Sequence, residues 1–167
     1  WWLLRYLGHE IVAVLDGGFS GWIAAEYPVT VEVPHRGNGI FIPQPQKRMI
    51  VDRETVKNCQ DSPQTALIDS RENDRYQGVR EPIDRIAGHI RGAINYPWKQ
   101  VTDSNGYLLP QQQQTNRWKQ LEENQEIMVY CGSGVTACVN LLSLELAGIH
   151  KGKLYPGSWS DWISYME

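Results

Sequence analysis

A cysteine in a glycine-bearing turn, set between an apolar run and an amphipathic segment, constrains this chain more than any other feature. Ile127-Met128-Val129-Tyr130 is short, apolar and rich in strand formers, so it reads as a buried strand. Residues 135–147 are apolar-periodic and read as a helix. Cys131-Gly132-Ser133-Gly134 must therefore turn the chain sharply from strand to helix. Successive N–H groups in such a turn, together with the helix dipole, form an anion-binding cradle. The same field favours a thiolate over a thiol of reference pKa ~8.5. A nucleophilic cysteine that handles anionic groups is the expectation.

The rest of the chain supplies the frame for that loop. Strands are expected at 66–69, near 93–96, at 127–130 and at 153–155, with helices at 52–59 (capped by Asp52), 115–123 and 135–147. Residues 70–92 read as loop. Residues 103–113 read as a polar, solvated loop, with Asn105-Gly106 as its turn and a glutamine run at its end. Strands alternating with helices predict an α/β fold, a central parallel sheet with helices on both faces. Cys131 then falls at the carboxyl end of a strand, where open α/β sheets bind ligands.

Several chemistries are disfavoured. A cysteine-dependent phosphatase needs an arginine six positions after its nucleophile to clamp phosphate bidentately, and position 137 is alanine. No basic residue lies between Cys131 and His150. Loop amides and two hydroxyls, Ser133 and Thr136, suit a softer guest, such as a sulfane sulfur carried as a cysteine persulfide. A net charge of −3 gives no reason to expect nucleic acid or an anionic membrane. No apolar run approaches the ~18 residues of a membrane span, and no signal peptide is visible. No cluster has metal-ligand spacing, so neither metal nor cofactor is expected. Three cysteines without paired spacing point to reduced thiols and a cytoplasmic setting.

The loop Cys131-Gly132-Ser133-Gly134-Val135-Thr136, followed by Ala137-Cys138, resembles the active-site loop of 3-mercaptopyruvate sulfurtransferases in the rhodanese superfamily. Thiosulfate-specific members carry two basic residues where this chain has Gly132 and Ser133. Further segments agree with the resemblance. Leu67-Ile68-Asp69-Ser70-Arg71 with Arg75-Tyr76-Gln77-Gly78, and Glu81-Pro82 through Arg85, are similar to the family's second strand and arginine-bearing loops. Gly88-His89-Ile90-Arg91-Gly92-Ala93-Ile94-Asn95 resembles its GHIPGA-N motif, with arginine in place of proline, and Leu154-Tyr155-Pro156-Gly157-Ser158-Trp159-Ser160-Asp161-Trp162 its closing motif.

The resemblance implies a rhodanese-like fold and a sulfurtransferase that works through a Cys131 persulfide, with 3-mercaptopyruvate as donor and a thiol or cyanide as acceptor. Thiosulfate sulfurtransferase and a persulfide-carrier or regulatory module are the alternatives. By resemblance Ser133 delivers a proton to the leaving enolate or polarises it, with a helix N-cap role as the structural alternative. Thr136 bonds a loop carbonyl or caps the helix. Gly132, Gly134, Val135 and Thr136 line the substrate, and Arg75 and Arg85 grip its carboxylate, with Arg80 able to replace Arg85. Cys138 and Cys59 are expected to be structural, and His89 to hold backbone in place.

An internal repeat completes the reading. Leu15-Asp16-Gly17-Gly18-Phe19-Ser20-Gly21-Trp22 echoes the closing motif at 154–162. About 30 residues cannot build an independent core, so residues 1–33 are expected to be the remnant of a first, non-catalytic rhodanese domain. Residues 34–49, rich in proline and glycine, are the expected linker and 50–167 the catalytic domain. The rest of that first domain, which in tandem members supplies part of the proton relay, is the expected partner in cis.

Overall fold

Four short parallel strands form the sheet of the computed structural model, which describes residues 1–35, 37–121 and 123–166. Their order across the sheet is β2 (Ile94–Asn95), β1 (Thr65–Asp69), β3 (Glu126–Tyr130) and β4 (Gly152–Leu154). Leu67 stands opposite Met128, and Asp69 opposite Tyr130. Ile50 adds a parallel bridge to Leu154 at the β4 edge, with Val51 N donating to Leu154 O at 2.8 Å. The expected linker, the helix 115–123 and the end of the catalytic domain each include one position, Arg36, Glu122 or Glu167, outside the described residues.

Alternation along β1 and β3 sends side chains into two separate cores. Leu67, Met128 and Tyr130 pack with Val56 of α3 (Arg53–Cys59) and with Trp159, Trp162 and Ile163 of α7 (Ser158–Ser164). Ala66, Ile68, Ile127 and Val129 pack with Trp118 of α5 (Gln111–Trp118) and with Leu141 and Leu144 of α6 (Ala137–Leu146). Strands covered on both faces need apolar residues at every position rather than at alternate ones. That requirement explains the continuous run before Cys131. Each fully buried aliphatic side chain contributes about 1.5–3 kcal/mol, so these two cores dominate the stability of the sheet.

Asp52 caps α3 as expected, its Oδ1 accepting from Thr55 N at 2.8 Å. Two expected loops are partly helical. Within 70–92 the short helix α4 (Asn73–Tyr76) forms. The glutamine run is helix rather than loop: it forms the first half of α5, which begins at Gln111 after Pro110, with Gln111, Gln112 and Gln113 exposed to solvent as expected. Gln114 is buried, donating to Val101 O at 2.9 Å and Leu109 O at 3.2 Å and accepting from the Ser143 hydroxyl. Glutamine's good helix propensity and these bonds outweigh its polarity.

The amino-terminal residues lie against this body at two places. Trp2 of α1 (Trp2–Tyr6) packs on the α5–α6 core, and the amides of Gln44 and Gln46 bond Leu7 O and Tyr6 O at 2.8 and 2.7 Å. At the start of α2 (Gly18–Ala24), Gly17 and Gly18 take φ +75° and +58°. A Cβ on Gly17 would lie 2.5 Å from the Tyr107 ring, and one on Gly21 2.7 Å from its hydroxyl. The absent side chains make the seat for that ring, and Leu108 N donates to Asp16 Oδ1 at 2.8 Å beside it.

Candidate active site

Cys131 ends β3 and is 2% exposed. Its amide donates to Ser158 Oγ at 3.1 Å, and its carbonyl accepts from Trp159 N at 3.0 Å. Gly132 O accepts from Ser160 N, also at 3.0 Å. The first residues of α7 thus hold the carbonyl side of the loop. In a trans peptide the N–H points opposite to the C=O, and no peptide here is cis, so the amides of Gly132 and Ser133 turn away from α7. None of the five amides from Gly132 to Thr136 has a hydrogen-bond partner among the described residues. Unsatisfied N–H groups in succession beside a helix start are what an anion requires.

The loop shape depends on Gly134. Its φ is +79°, and a Cβ there would meet Pro156 O at 2.6 Å. Ser133 and Val135 are exposed at the rim. Thr136, not Ser133, occupies the N-cap position of α6, and its side chain makes no capping bond. Ser133's hydroxyl therefore has no capping task. Behind the loop, Cys138 Sγ donates to Gly134 O at 3.4 Å. Burial, and secondarily the neighbouring Cys131, pushes the Cys138 thiol up to about 11.

Arg75, on α4, lies over the loop. A Cβ placed on Gly132 would lie 3.6 Å from Nη1 and 3.7 Å from Nη2. The guanidinium is already engaged: Nη2 donates to Glu81 Oε1 at 2.6 Å and Asp84 Oδ2 at 3.3 Å, and Nε to Glu81 Oε2 at 3.2 Å. Nη1 has no hydrogen-bond partner among the described residues. Arg85 lies elsewhere, its Nη2 bonding Ile163 O at 2.9 Å and Met166 O at 2.7 Å at the end of α7. None of its hydrogen bonds reaches 131–136. Arg80 pairs with exposed Asp74 at 2.6 Å.

Sequence reasoning missed the charged network behind Arg75. Asp69, fully buried at the end of β1, holds Arg71 through Nη2 at 2.6 Å and Nε at 3.1 Å. Arg71 reaches Glu81 Oε2 at 3.3 Å and Gly88 O at 2.6 Å, and its guanidinium stacks 4.9 Å over Trp159. Burial lowers the Arg71 affinity for its proton, but the hydrogen bond and charge of Asp69 more than reverse this and raise it. For Glu81 burial acts upward, yet the Arg75 bond and the amides of Asp84 and Ile83 leave its carboxyl below the usual range. Asp84 Oδ1 accepts from Ser160 Oγ at 2.7 Å, whose backbone N–H holds Gly132. The signal available was Asp69-Ser70-Arg71 itself, opposite charges two residues apart at a buried strand end.

His89 holds backbone: its Nδ1 lies 2.8 Å from Tyr76 O and its ring stacks on Tyr76 at 3.9 Å. Cys59 packs against the α3–α7 core. Among the described residues no group of His, Cys, Asp and Glu could hold a metal ion.

Residues 52–165 match the family model described as rhodanese-like domain. The chain is 41% identical to a probable 3-mercaptopyruvate sulfurtransferase of Pseudomonas aeruginosa, covering 98% of this chain and 59% of that protein. It is 32% identical to the thiosulfate sulfurtransferase of Gallus gallus, over 98% of this chain and 57% of the relative. The crystal structure of the Tum1 protein from Saccharomyces cerevisiae superposes with a TM-score of 0.82 at 24% identity, over 99% of this chain and 61% of that one. The chain thus spans a little under three fifths of the curated relatives it matches.

Proposed function

The chain belongs to the rhodanese-like domain family, and from that premise we propose that it transfers sulfane sulfur from 3-mercaptopyruvate to a thiol or cyanide through a persulfide on Cys131. The Cys131 thiolate attacks the donor sulfur, the carbon–sulfur bond breaks, and its electron pair leaves as the pyruvate enolate, which takes up a proton. An acceptor thiolate or cyanide then attacks the outer sulfur and returns the Cys131 thiolate. The lack of a capping bond at the rim supports Ser133 as the proposed proton-handling hydroxyl. The observation that carries this reading is the set of unpartnered amides from Gly132 to Thr136 beside a buried cysteine.

We assign substrate contact to Gly132, Gly134, Val135, Thr136 and Arg75; Arg85, bonded to Ile163 O and Met166 O, is left out of this set. The two named relatives divide between the two donors, so thiosulfate is the second reading. The carboxylates already on Arg75 favour the singly charged donor. Three free cysteines support a reducing, cytoplasmic setting, and no described helix is long and apolar enough to cross a membrane. Residues 1–33 and 34–49 are proposed as the remnant and linker of a tandem protein. Exposed Phe19, Ile23, Val31 and Ile40 would pack on its first rhodanese domain.

The test is mass spectrometry of Cys131 after incubation with 3-mercaptopyruvate. An added ~32 Da, discharged by cyanide, is expected from covalent catalysis. In Cys131→Ser both the adduct and turnover should disappear with the fold intact. Residual turnover above a trace would sink the persulfide mechanism.

A further inference from the structure

We propose that Glu81 and Asp84 are specificity-determining residues, which by occupying Nε and Nη2 of Arg75 set the site to accept a singly charged donor and to reject a compact dianion. The inference rests on the sulfurtransferase reading above. It begins from the way the guanidinium hydrogens are spent. Arginine offers five N–H donors in a fixed fork. Nε is taken by Glu81, and Nη2 is shared between Glu81 and Asp84. The two hydrogens of Nη1 remain; Nη1 and Nη2 lie 3.6 and 3.7 Å from where a Gly132 Cβ would stand. An incoming anion therefore meets one nitrogen and the loop amides, not a bidentate fork.

Charge strengthens the effect. Asp69, Arg71, Glu81, Arg75 and Asp84 form one connected chain of ion pairs. Three carboxylates face two guanidiniums, which leaves one surplus negative charge behind the loop. The Glu81 and Asp84 side chains are 4% and 8% exposed, so water screens them poorly. Arg75 thus adds a directed hydrogen-bond donor without adding net positive charge. A carboxylate-bearing donor can use such a donor, whereas thiosulfate, with two charges, meets the surplus more strongly. Asp84 is also tied to the loop itself through Ser160, whose amide holds Gly132 O. Its charge therefore keeps a defined position relative to the sulfur.

The charge at Cys131 can be read without assuming any donor. Iodoacetate and iodoacetamide both alkylate the thiolate with loss of iodide, but only the first is an anion. Their rate ratio at Cys131, followed by peptide mass spectrometry, cancels differences in thiolate fraction and reports the local field. In the 167-residue chain, Asp84→Asn and Glu81→Gln should each raise the iodoacetate-to-iodoacetamide ratio by about three- to tenfold at low salt, and less at 1 M salt. Arg75→Gln should lower it. The persulfide-loading ratio of thiosulfate to 3-mercaptopyruvate should rise in the same two carboxylate variants. Either carboxylate variant is sufficient if the other does not fold. An alkylation ratio within about 1.5-fold of the wild type in the folded variants overturns the proposal. If neither donor loads wild-type Cys131 while the alkylation ratios shift as stated, the charge arrangement stands and the sulfurtransferase reading falls.

Discussion

At the first residue of α2 Gly18 takes φ +58°, and at the first residue of α7 Ser158 takes φ +56°. The helices that follow are both seven residues long. Their surroundings are opposite: Phe19 is 69% exposed, whereas Trp159, at the same place in the second copy, is 2% exposed. The positive φ at the first helical residue is thus common to both copies although the residue before it differs, Gly17 at φ +75° and Gly157 at −64°. Burial of the helix is a property of the sheet beneath it. The second copy also gives up the glycine that a positive φ favours. In exchange Ser158 presents a hydroxyl that accepts from Cys131 N and donates to Tyr155 O. A strained residue thus stands directly under the nucleophile, where a glycine could make neither bond.

The comparison breaks most visibly at the aromatic position. Trp159→Ala should cost about 3–5 kcal/mol in urea unfolding, the range for large core truncations. Phe19→Ala should stay within about 0.5 kcal/mol, as for exposed positions. Similar losses in both would mean that the first copy is seated as firmly as the second. One residue earlier the contrast should narrow. Ser158→Ala orphans the buried Cys131 N–H and should cost about 1–3 kcal/mol, while altering the alkylation rate of Cys131. Gly18→Ala meets nothing within 4 Å and should cost only the positive-φ penalty, about 1 kcal/mol. A Ser158→Ala protein as stable as wild type would remove the serine from its supporting place.

The smallest effect is a pH dependence confined to the second copy's side of the molecule. Glu81 titrates below its usual range in the fold. Its stabilisation is therefore complete above the unfolded value of ~4.3 and fades as pH falls through the lower folded value. Glu81→Gln should flatten that part of the acid limb in urea unfolding between pH 5 and the acid transition. An acid limb of unchanged slope would show that Glu81 titrates alike in both states.

Legibility in the sequence followed the range of the forces involved. Strand β3, the turn and α6 were readable because a continuous apolar run, two glycines and a helical period each state a local preference. The cap at Asp52 was readable for the same reason. The helix through the glutamine run was not, because what decides it is Gln114 reaching Val101, Leu109 and Ser143 across the fold. Arg75 could be picked out by motif, yet its pairing with Glu81 and Asp84 is a matter of where α4 and the following loop meet. The bonds of Arg85 join it to carbonyls 78 and 81 positions away. No spacing rule carries information over that separation.

The Tyr107 ring seated on Gly17 and Gly21 has a practical consequence for handling the molecule. With the Asp16–Leu108 bond beside it, and Trp2 with the Gln44 and Gln46 amides further round, it fastens the amino-terminal residues at two separate points. Between them, residues 28–35 and 37–42 carry no regular secondary structure, the kind of backbone that proteases enter first. Severing is then not release. A nicked preparation should give two bands on a denaturing gel and a single peak in gel filtration, so purity judged by size alone would hide the cut.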